Sequence, residues 1–173
     1  MKLIESKTLG TATASIEFTS IPQDGTDLVV LASIRSAFAD VSNEISMSIN
    51  GVTTNRSWRD LVGTGSSVAS YTGTTGHVGN LNGNTATSNT FGNARIYITN
   101  YTASVNKSIS FDNVSENNAT LSLIRMGTSL WSSTAAITSL AFSDISAANY
   151  LAGSTISLYK ITKGTDGIVT TSP

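Results

Sequence analysis

Apolar and polar residues alternate with a period of two at several places along this chain. The alternation is cleanest at residues 14–19, where Ala14, Ile16 and Phe18 are separated by polar residues. A period of two places successive side chains on opposite faces of an extended strand. The pattern therefore predicts a strand that buries one face and exposes the other.

Similar patterns predict further short strands that are separated by turn residues. They span residues 28–35, 45–49, 93–99, 107–114, 119–126, 137–142 and 155–161. The first of these begins with apolar residues on both faces, which is typical of a central strand covered on both sides. Asn50-Gly51 is a strong signal for a two-residue hairpin turn, so we expect a partner strand near residues 52–58.

Eight to ten short strands with no helical pattern between them favour antiparallel sheets packed face to face. The sequence therefore predicts an all-β protein with a single domain over residues 1–173, an antiparallel β-sandwich for which a jelly roll is the expected type. Trp131 is expected to fill the core of this sandwich. Only residues 147–151 and 57–61 have compositions that allow a turn of helix.

Residues 61–90 interrupt the series of strands. Gly, Ser, Thr and Asn dominate these thirty residues, and their few apolar residues never become periodic. We expect a long loop here, or a two-stranded flap, and regard it as the place for binding specificity because long loops in compact domains are usually functional or disordered. The alternative is a solvent-exposed loop with no binding role.

Composition narrows the classes of partner. The 173 residues include 27 Ser and 25 Thr, and the formal net charge is −1. Binding to nucleic acid or to an anionic membrane needs clustered Lys and Arg, which are absent, so neither partner is expected. The chain has no cysteine and therefore forms no disulfide or thiolate metal site. It also lacks the apolar stretch of a signal peptide or a spanning helix, which predicts a soluble chain made in the cytosol.

The chain offers little for catalysis. Its only histidine, His77, lies in the Gly-rich stretch, and no Gly-x-Ser-x-Gly elbow is present to supply a nucleophile. The acidic residues show no spacing that singles out a carboxylate pair for sugar hydrolysis or the ligand series of a calcium loop. We therefore predict that the protein is not an enzyme and that it uses no cofactor and no metal.

Residues 55–60 concentrate charge and an indole in a chain with few charges. Arg56, Trp58, Arg59 and Asp60 form a mixture that is typical of interface anchors and of sugar-stacking platforms. The alternative is that Trp58 closes one end of the sandwich while Arg59 and Asp60 face water. Further candidates for interaction are two residues of the long loop and two tyrosines expected on an exposed sheet face: Tyr71, His77, Tyr97 and Tyr101.

Several segments resemble a group of small structural proteins from tailed phages. The opening LIESKTLG (3–10) and its continuation SIEFTSIP (15–22) carry the likeness. It resumes at RIYITNY (95–101), LWSSTAAI (130–137) and AGSTISLY (152–159). The resemblance covers both ends of the chain and much of its second half, whereas the middle, residues 50–91, shows none.

The resemblance implies a component of the virion, made in the host cytoplasm. Within that class we expect a capsid decoration or cement protein, which binds the major capsid protein or other virion proteins on the outer head surface and bridges capsid subunits. Because repeated modest contacts gain through multivalency, a homo-oligomer, and specifically a trimer, is expected.

Two other functions are considered. The first is a tail-fibre or receptor-binding domain that recognises a host-surface glycan through Arg56, Trp58, Arg59 and residues 61–90. The second is a glycan-cleaving enzyme, which the lack of an acid/base constellation disfavours.

Overall fold

The computed structural model describes residues 1–116, 118 and 121–162, and these residues form two antiparallel β-sheets packed face to face. The predicted all-β sandwich is thereby confirmed. The strands of the described residues are β1 (Lys2–Thr8), β2 (Ser15–Phe18), β3 (Asp27–Ile34), β4 (Ser42–Ile49), β5 (Arg56–Gly63), β6 (Val68–Gly73), β7 (His77–Asn82), β8 (Gly92–Ile98), β9 (Lys107–Ser115), β10 (Leu123–Trp131), β11 (Leu140–Asp144) and β12 (Thr155–Ile161).

The strand order is that of a jelly roll with additions. The large sheet has the order β1-β12-β3-β8-β9-β10-β5-β6, and the small sheet has the order β2-β11-β4-β7. Four antiparallel pairs nest inside one another along the chain: β1 with β12, β2 with β11, β3 with β8, and β4 with β7. These pairs lie alternately in the large and the small sheet, so the chain follows one long hairpin rolled into a sandwich.

The other four strands extend the large sheet beyond β8. We call β9, β10, β5 and β6 the extension; β9 and β10 precede β11 in the chain, whereas β5 and β6 lie between β4 and β7. The extension packs over β7, the edge strand of the small sheet, and all six residues of β7 are buried. The face of the extension that points toward β7 thus becomes part of the interior.

The core lies between the two sheets and follows the predicted alternation. On β2, Ile16 and Phe18 are buried while the residues between and before them are exposed. Phe18 meets Phe142 of β11 edge to face, with ring centroids 6.3 Å apart. Trp131 is buried as predicted. Complete burial of each such side chain stabilises the fold by about 1.5–3 kcal/mol.

Strand boundaries shift in the second half of the chain. The strand predicted at 119–126 includes residues 119 and 120, which lie outside the described residues. The observed β10 begins at Leu123 and continues to Trp131. The strand predicted at 137–142 is observed as Leu140–Asp144. β1, which pairs with β12 at one edge of the large sheet, was not among the predicted strands.

The expected turns of helix are wrong. Ala147 has a positive φ of 60°, which a right-handed helix does not allow, and Tyr150 forms bridges to Thr13 and Ser36 instead. Residues 57–61 belong to β5. No described residue lies in a helix, and accordingly the described part of the chain contains no helix suited to crossing a membrane.

The Asn50-Gly51 turn forms, but its predicted partner strand does not. Both residues have positive φ, and Ile49 and Val52 exchange backbone hydrogen bonds of 2.9 and 3.0 Å across them. The pairing ends after this single bridge because β4 already has β11 on one side and β7 on the other. The chain therefore crosses to the large sheet, where β5 pairs with β10.

Half of the long loop predicted at residues 61–90 is strand. The β5–β6 hairpin corresponds to the alternative of a two-stranded flap, whereas β7 is a buried strand of the small sheet. Residues 83–91, which remain irregular, are held by the buried guanidinium of Arg35. It donates to backbone carbonyl oxygens at 2.6–3.1 Å, those of Asn84, Ala86, Thr87 and Thr90.

Two glycines of the extension, Gly127 and Gly63, provide a matched test of its packing. Gly127 of β10 faces inward, and a Cβ there would lie 2.4 Å from the Phe111 ring and 2.7 Å from the Asp60 Cβ. Gly63 of β5 has open space at the same atom. We expect Gly127→Ala to lower the free energy of unfolding by about 1–3 kcal/mol through overpacking, and Gly63→Ala to leave it unchanged or raise it. Urea denaturation of both variants measures the difference; equal stabilities would contradict this packing.

Candidate functional site

β5 carries four of the predicted interaction residues, and its pleat divides them between two faces. Arg56, Trp58 and Asp60 point inward toward the small sheet, whereas Arg59 points outward and is exposed. Tyr71, which pairs with Asp60 across the β5–β6 ladder, shares the inner face but remains about half exposed. The segment is therefore not a single surface cluster.

Asp60 is one of four charged or titratable side chains that meet beneath the extension. His77 Nε2 lies 3.0 Å from Asp60 Oδ2, and His77 Nδ1 lies 3.1 Å from Glu44 Oε2. Arg125 Nη1 lies 3.2 Å from both Asp60 Oδ2 and Glu44 Oε1. We call these four residues the charge cluster. It joins β5 and β10 of the extension to β4 and β7 of the small sheet.

Three members of the charge cluster are buried, so the alternative in which Asp60 faces water is wrong. The side chains of Asp60 and His77 have no exposed surface, and that of Arg125 is 8% exposed. Removing one partner from a buried ion pair leaves an uncompensated charge, which typically costs about 3–5 kcal/mol. Asp60, His77 and Arg125 therefore depend on one another for their burial, whereas the side chain of Glu44 is 31% exposed.

The His77 ring lies at the centre of the charge cluster. Arg125 Nη1 lies 2.8 Å from His77 Nε2, and a guanidinium N–H can only donate. His77 Nε2 lies between the Arg125 guanidinium and the carboxylate of Asp60, and His77 Nδ1 faces the carboxylate of Glu44.

Aromatic rings enclose the histidine. The Trp58 ring centroid lies 4.4 Å from that of His77, and Phe111 meets His77 edge to face at 5.5 Å. Trp58 can approach because Gly73 lies opposite it on β6, where a Cβ would lie 2.6 Å from the indole. The Trp58 Nε1–H donates to Thr75 Oγ1 at 3.1 Å. One face of the indole is thus occupied by the protein itself.

The charge cluster favours the ionised form of Glu44. The hydrogen bond from His77 is the largest cause that lowers the pKa of Glu44, and the charges of His77 and Arg125 lower it further against the effect of burial. Among the residues that the structure describes, no group of acidic and histidine side chains is arranged to hold a metal ion. The side chain of His77 has no exposed surface. The charge cluster holds the extension against the small sheet.

Arg56 lies in the same layer and is equally withdrawn from the surface. Its guanidinium donates to the Met47 carbonyl oxygen at 2.8 Å and to Ser129 Oγ at 3.1 Å. Burial lowers the pKa of Arg56 to about 10. Arg56 therefore links β5 to β4 and β10.

The two predicted surface tyrosines have different environments. Tyr97 lies half-buried on the outer face of β8, and its hydroxyl donates to Asp27 Oδ2 at 3.0 Å. Partial burial and this hydrogen bond raise the pKa of Tyr97. Tyr101 is completely buried, so its expected exposure is wrong. It follows the end of β8, where its hydroxyl donates to the Pro22 carbonyl and accepts the Gly25 N–H.

The outer face of the extension carries an apolar surface that the sequence reasoning missed. Five side chains, 43–77% exposed, form what we call the outer patch: Leu61, Val68, Val114, Ile124 and Met126. Ile124 lies opposite Val114 on one side and Gly63 on the other, and Gly63 lies opposite Val68. Met126 lies opposite Leu61 in the next row. The sequence contained one signal for this exposed surface, the apolar residues at the successive positions 123 and 124. Neighbouring residues of a strand point to opposite faces, so one of the two must face outward.

Polar residues border the outer patch. Arg95 forms an exposed ion pair with Asp112 at 3.0 Å, and Asp112 lies opposite Met126 across the β9–β10 ladder. Arg59 and Thr128 form the row beyond Leu61 and Met126. A contiguous apolar surface with a polar border is typical of an interaction site. The outer patch is therefore the candidate functional site.

Comparisons with protein-family models, with curated proteins and with solved structures each found no match.

Glu44 makes stability depend on pH in a defined direction. Because its pKa is lowered in the folded chain, ionised Glu44 contributes stability above its unfolded pKa and loses that contribution as pH falls through the folded pKa. We expect Glu44→Gln to be less stable than wild type near neutral pH and the gap to narrow below about pH 4.5. Glu17→Gln on β2, an exposed position, serves as the control. Urea denaturation across this range measures the gap; a constant gap would contradict the role of Glu44.

Proposed function

We propose that this chain is a structural protein of a tailed-phage virion, a decoration protein that binds the outer surface of the head and bridges capsid subunits. The outer patch is the observation that carries the proposal. Its five apolar side chains lie on one face of a sheet and are free to contact a partner. The resemblance of both ends of the chain to small phage structural proteins supports this choice of partner.

The proposed contact suits a flat, repeated surface. Ladder pairs hold the outer patch on adjacent strands, and the charge cluster beneath holds those strands against the small sheet. A rigid surface loses little conformational entropy on binding. Each contact is small, and many copies on one shell would stabilise it through multivalency.

The glycan-binding alternative loses two of its predicted residues at the surface. The Trp58 indole packs against the His77 ring at an interplanar angle of 44°, and Arg56 is buried between the sheets. Arg59 and Tyr71 remain exposed and line one surface pocket, but the predicted indole of Trp58 is not among its lining residues. Protein contact through the outer patch is the better supported function.

Two leucines of equal exposure provide the test. Leu61 lies in the outer patch and is 51% exposed, whereas Leu3 lies on β1 at the opposite edge of the large sheet and is 49% exposed. We expect Leu61→Ser to weaken binding to phage heads that lack this protein by roughly tenfold. The reason is that the substitution removes about half of a leucine side chain that the partner would otherwise bury. Leu3→Ser should bind like wild type.

Sedimentation of the heads with labelled protein measures this binding, and electron microscopy of the decorated heads locates the bound protein. Thermal unfolding of both variants shows whether the folds are intact. The proposal is overturned if wild type does not bind heads, or if a folded Leu61→Ser variant binds as well as wild type.

A further inference from the structure

β6 is a free sheet edge with none of the usual protection. It is the outermost strand of the extension, and five of its six residues are exposed. A strand paired on one side only leaves N–H and C=O groups free to pair with another strand. The sequence Val68–Gly73 contains no charge and no proline, and its ladder with β5 has no bulge.

The other edges of the described sheets are guarded. β1, at the far edge of the large sheet, carries Lys2, Glu5 and Lys7, and its register shifts between Leu3 and Glu5. Charges and bulges of this kind prevent pairing between edges.

The small sheet is guarded at both edges. β2 has only four residues and carries Glu17, whose carbonyl accepts a hydrogen bond from Lys7 Nζ at 2.6 Å. β7 is completely buried under the extension. Of the edges that the structure describes, β6 alone is long enough, uncharged and uncovered.

We propose that β6 pairs antiparallel with β6 of a second copy of this chain, which joins two large sheets into one continuous sheet across a two-fold axis. A second copy of the chain is the expected partner because of which sheet edges are open. A heterologous contact would need a second open edge, and the described residues offer only β6. Two copies of an uncharged strand meet without like charges opposite each other.

The pairing has a consequence for the surface described above. In an antiparallel pair related by a two-fold axis, the outer faces of the two sheets lie on the same side. The two outer patches then become neighbours, because Val68 lies on β6 itself and Leu61 on the adjacent strand. A dimer also differs from the trimer expected by the multivalency argument. The pairing does not rest on the proposed function, since it concerns the chain in solution.

Ser70 and Ser6 provide the first test. Both serines are exposed on edge strands, Ser70 on β6 and Ser6 on β1. We expect wild type to show twice the 18.0 kDa mass of the chain by light scattering at micromolar concentration. Ser70→Lys should give the monomer mass because edge lysines oppose strand pairing, and Ser6→Lys should remain a dimer.

A cysteine scan provides the second test and is informative because the chain has no cysteine of its own. Single cysteines are placed at each position from 68 to 72, and Ser6→Cys is the control. One residue of β6 lies on the two-fold axis and faces its own copy, so that variant is expected to form a disulfide-linked dimer most rapidly. The position that crosslinks reports the register.

The outcomes separate this proposal from the proposed function. A monomeric or trimeric wild type, or a scan in which no β6 position crosslinks faster than Ser6→Cys, overturns the pairing whether or not the protein binds heads. A dimer that crosslinks through β6 supports the pairing even if head binding fails. Thermal unfolding of each variant confirms that it is folded.

Discussion

The buried pairing of charges beneath the extension is the interaction on which the rest of this structure depends. A jelly roll alone would leave β7 as an open edge of the small sheet. Here four more strands extend the large sheet over it, and Asp60 and Arg125 meet Glu44 and His77 across the layer. Buried charges are tolerated only when each has a partner, so the extension and the small sheet are fixed relative to each other.

The same constraint determines the outer face. With Asp60 and Arg125 pointing inward, the period of two places Leu61, Ile124 and Met126 outward. A shift of one residue in β5 or β10 would turn its charged residue, Asp60 or Arg125, to the outer face. Leu61 or Met126 would then be buried in its place. The outer patch therefore follows from the register that the charge cluster requires. It also lies beside β6, the one uncharged and uncovered edge among the described strands.

These features agree with a protein that acts through its surfaces. Several polar side chains of the described residues are directed inward, where they hold strands together: Arg35 binds the carbonyl oxygens of an irregular segment, Arg56 links β5 to β4 and β10, and Tyr101 satisfies the turn near Pro22. The outer face of the extension carries the apolar outer patch. Such a surface suits adhesion between macromolecules, which is the basis of the function proposed above.

The sequence by itself determined most strands of the jelly roll, because alternation of apolar and polar residues is a local pattern that reports the buried face of a strand, as at Ile16 and Phe18. It did not determine β1 or β7, neither of which alternates between buried and exposed residues. It determined far less of the sites. Asp60 and His77 are separated by 17 residues and Glu44 and Arg125 by 81, so nothing local indicates that they meet. A charged residue on a strand is expected outside unless its partner is known. Only the tertiary structure decided which charges are buried, and therefore which apolar residues are exposed, because both depend on pairing between strands distant in the chain.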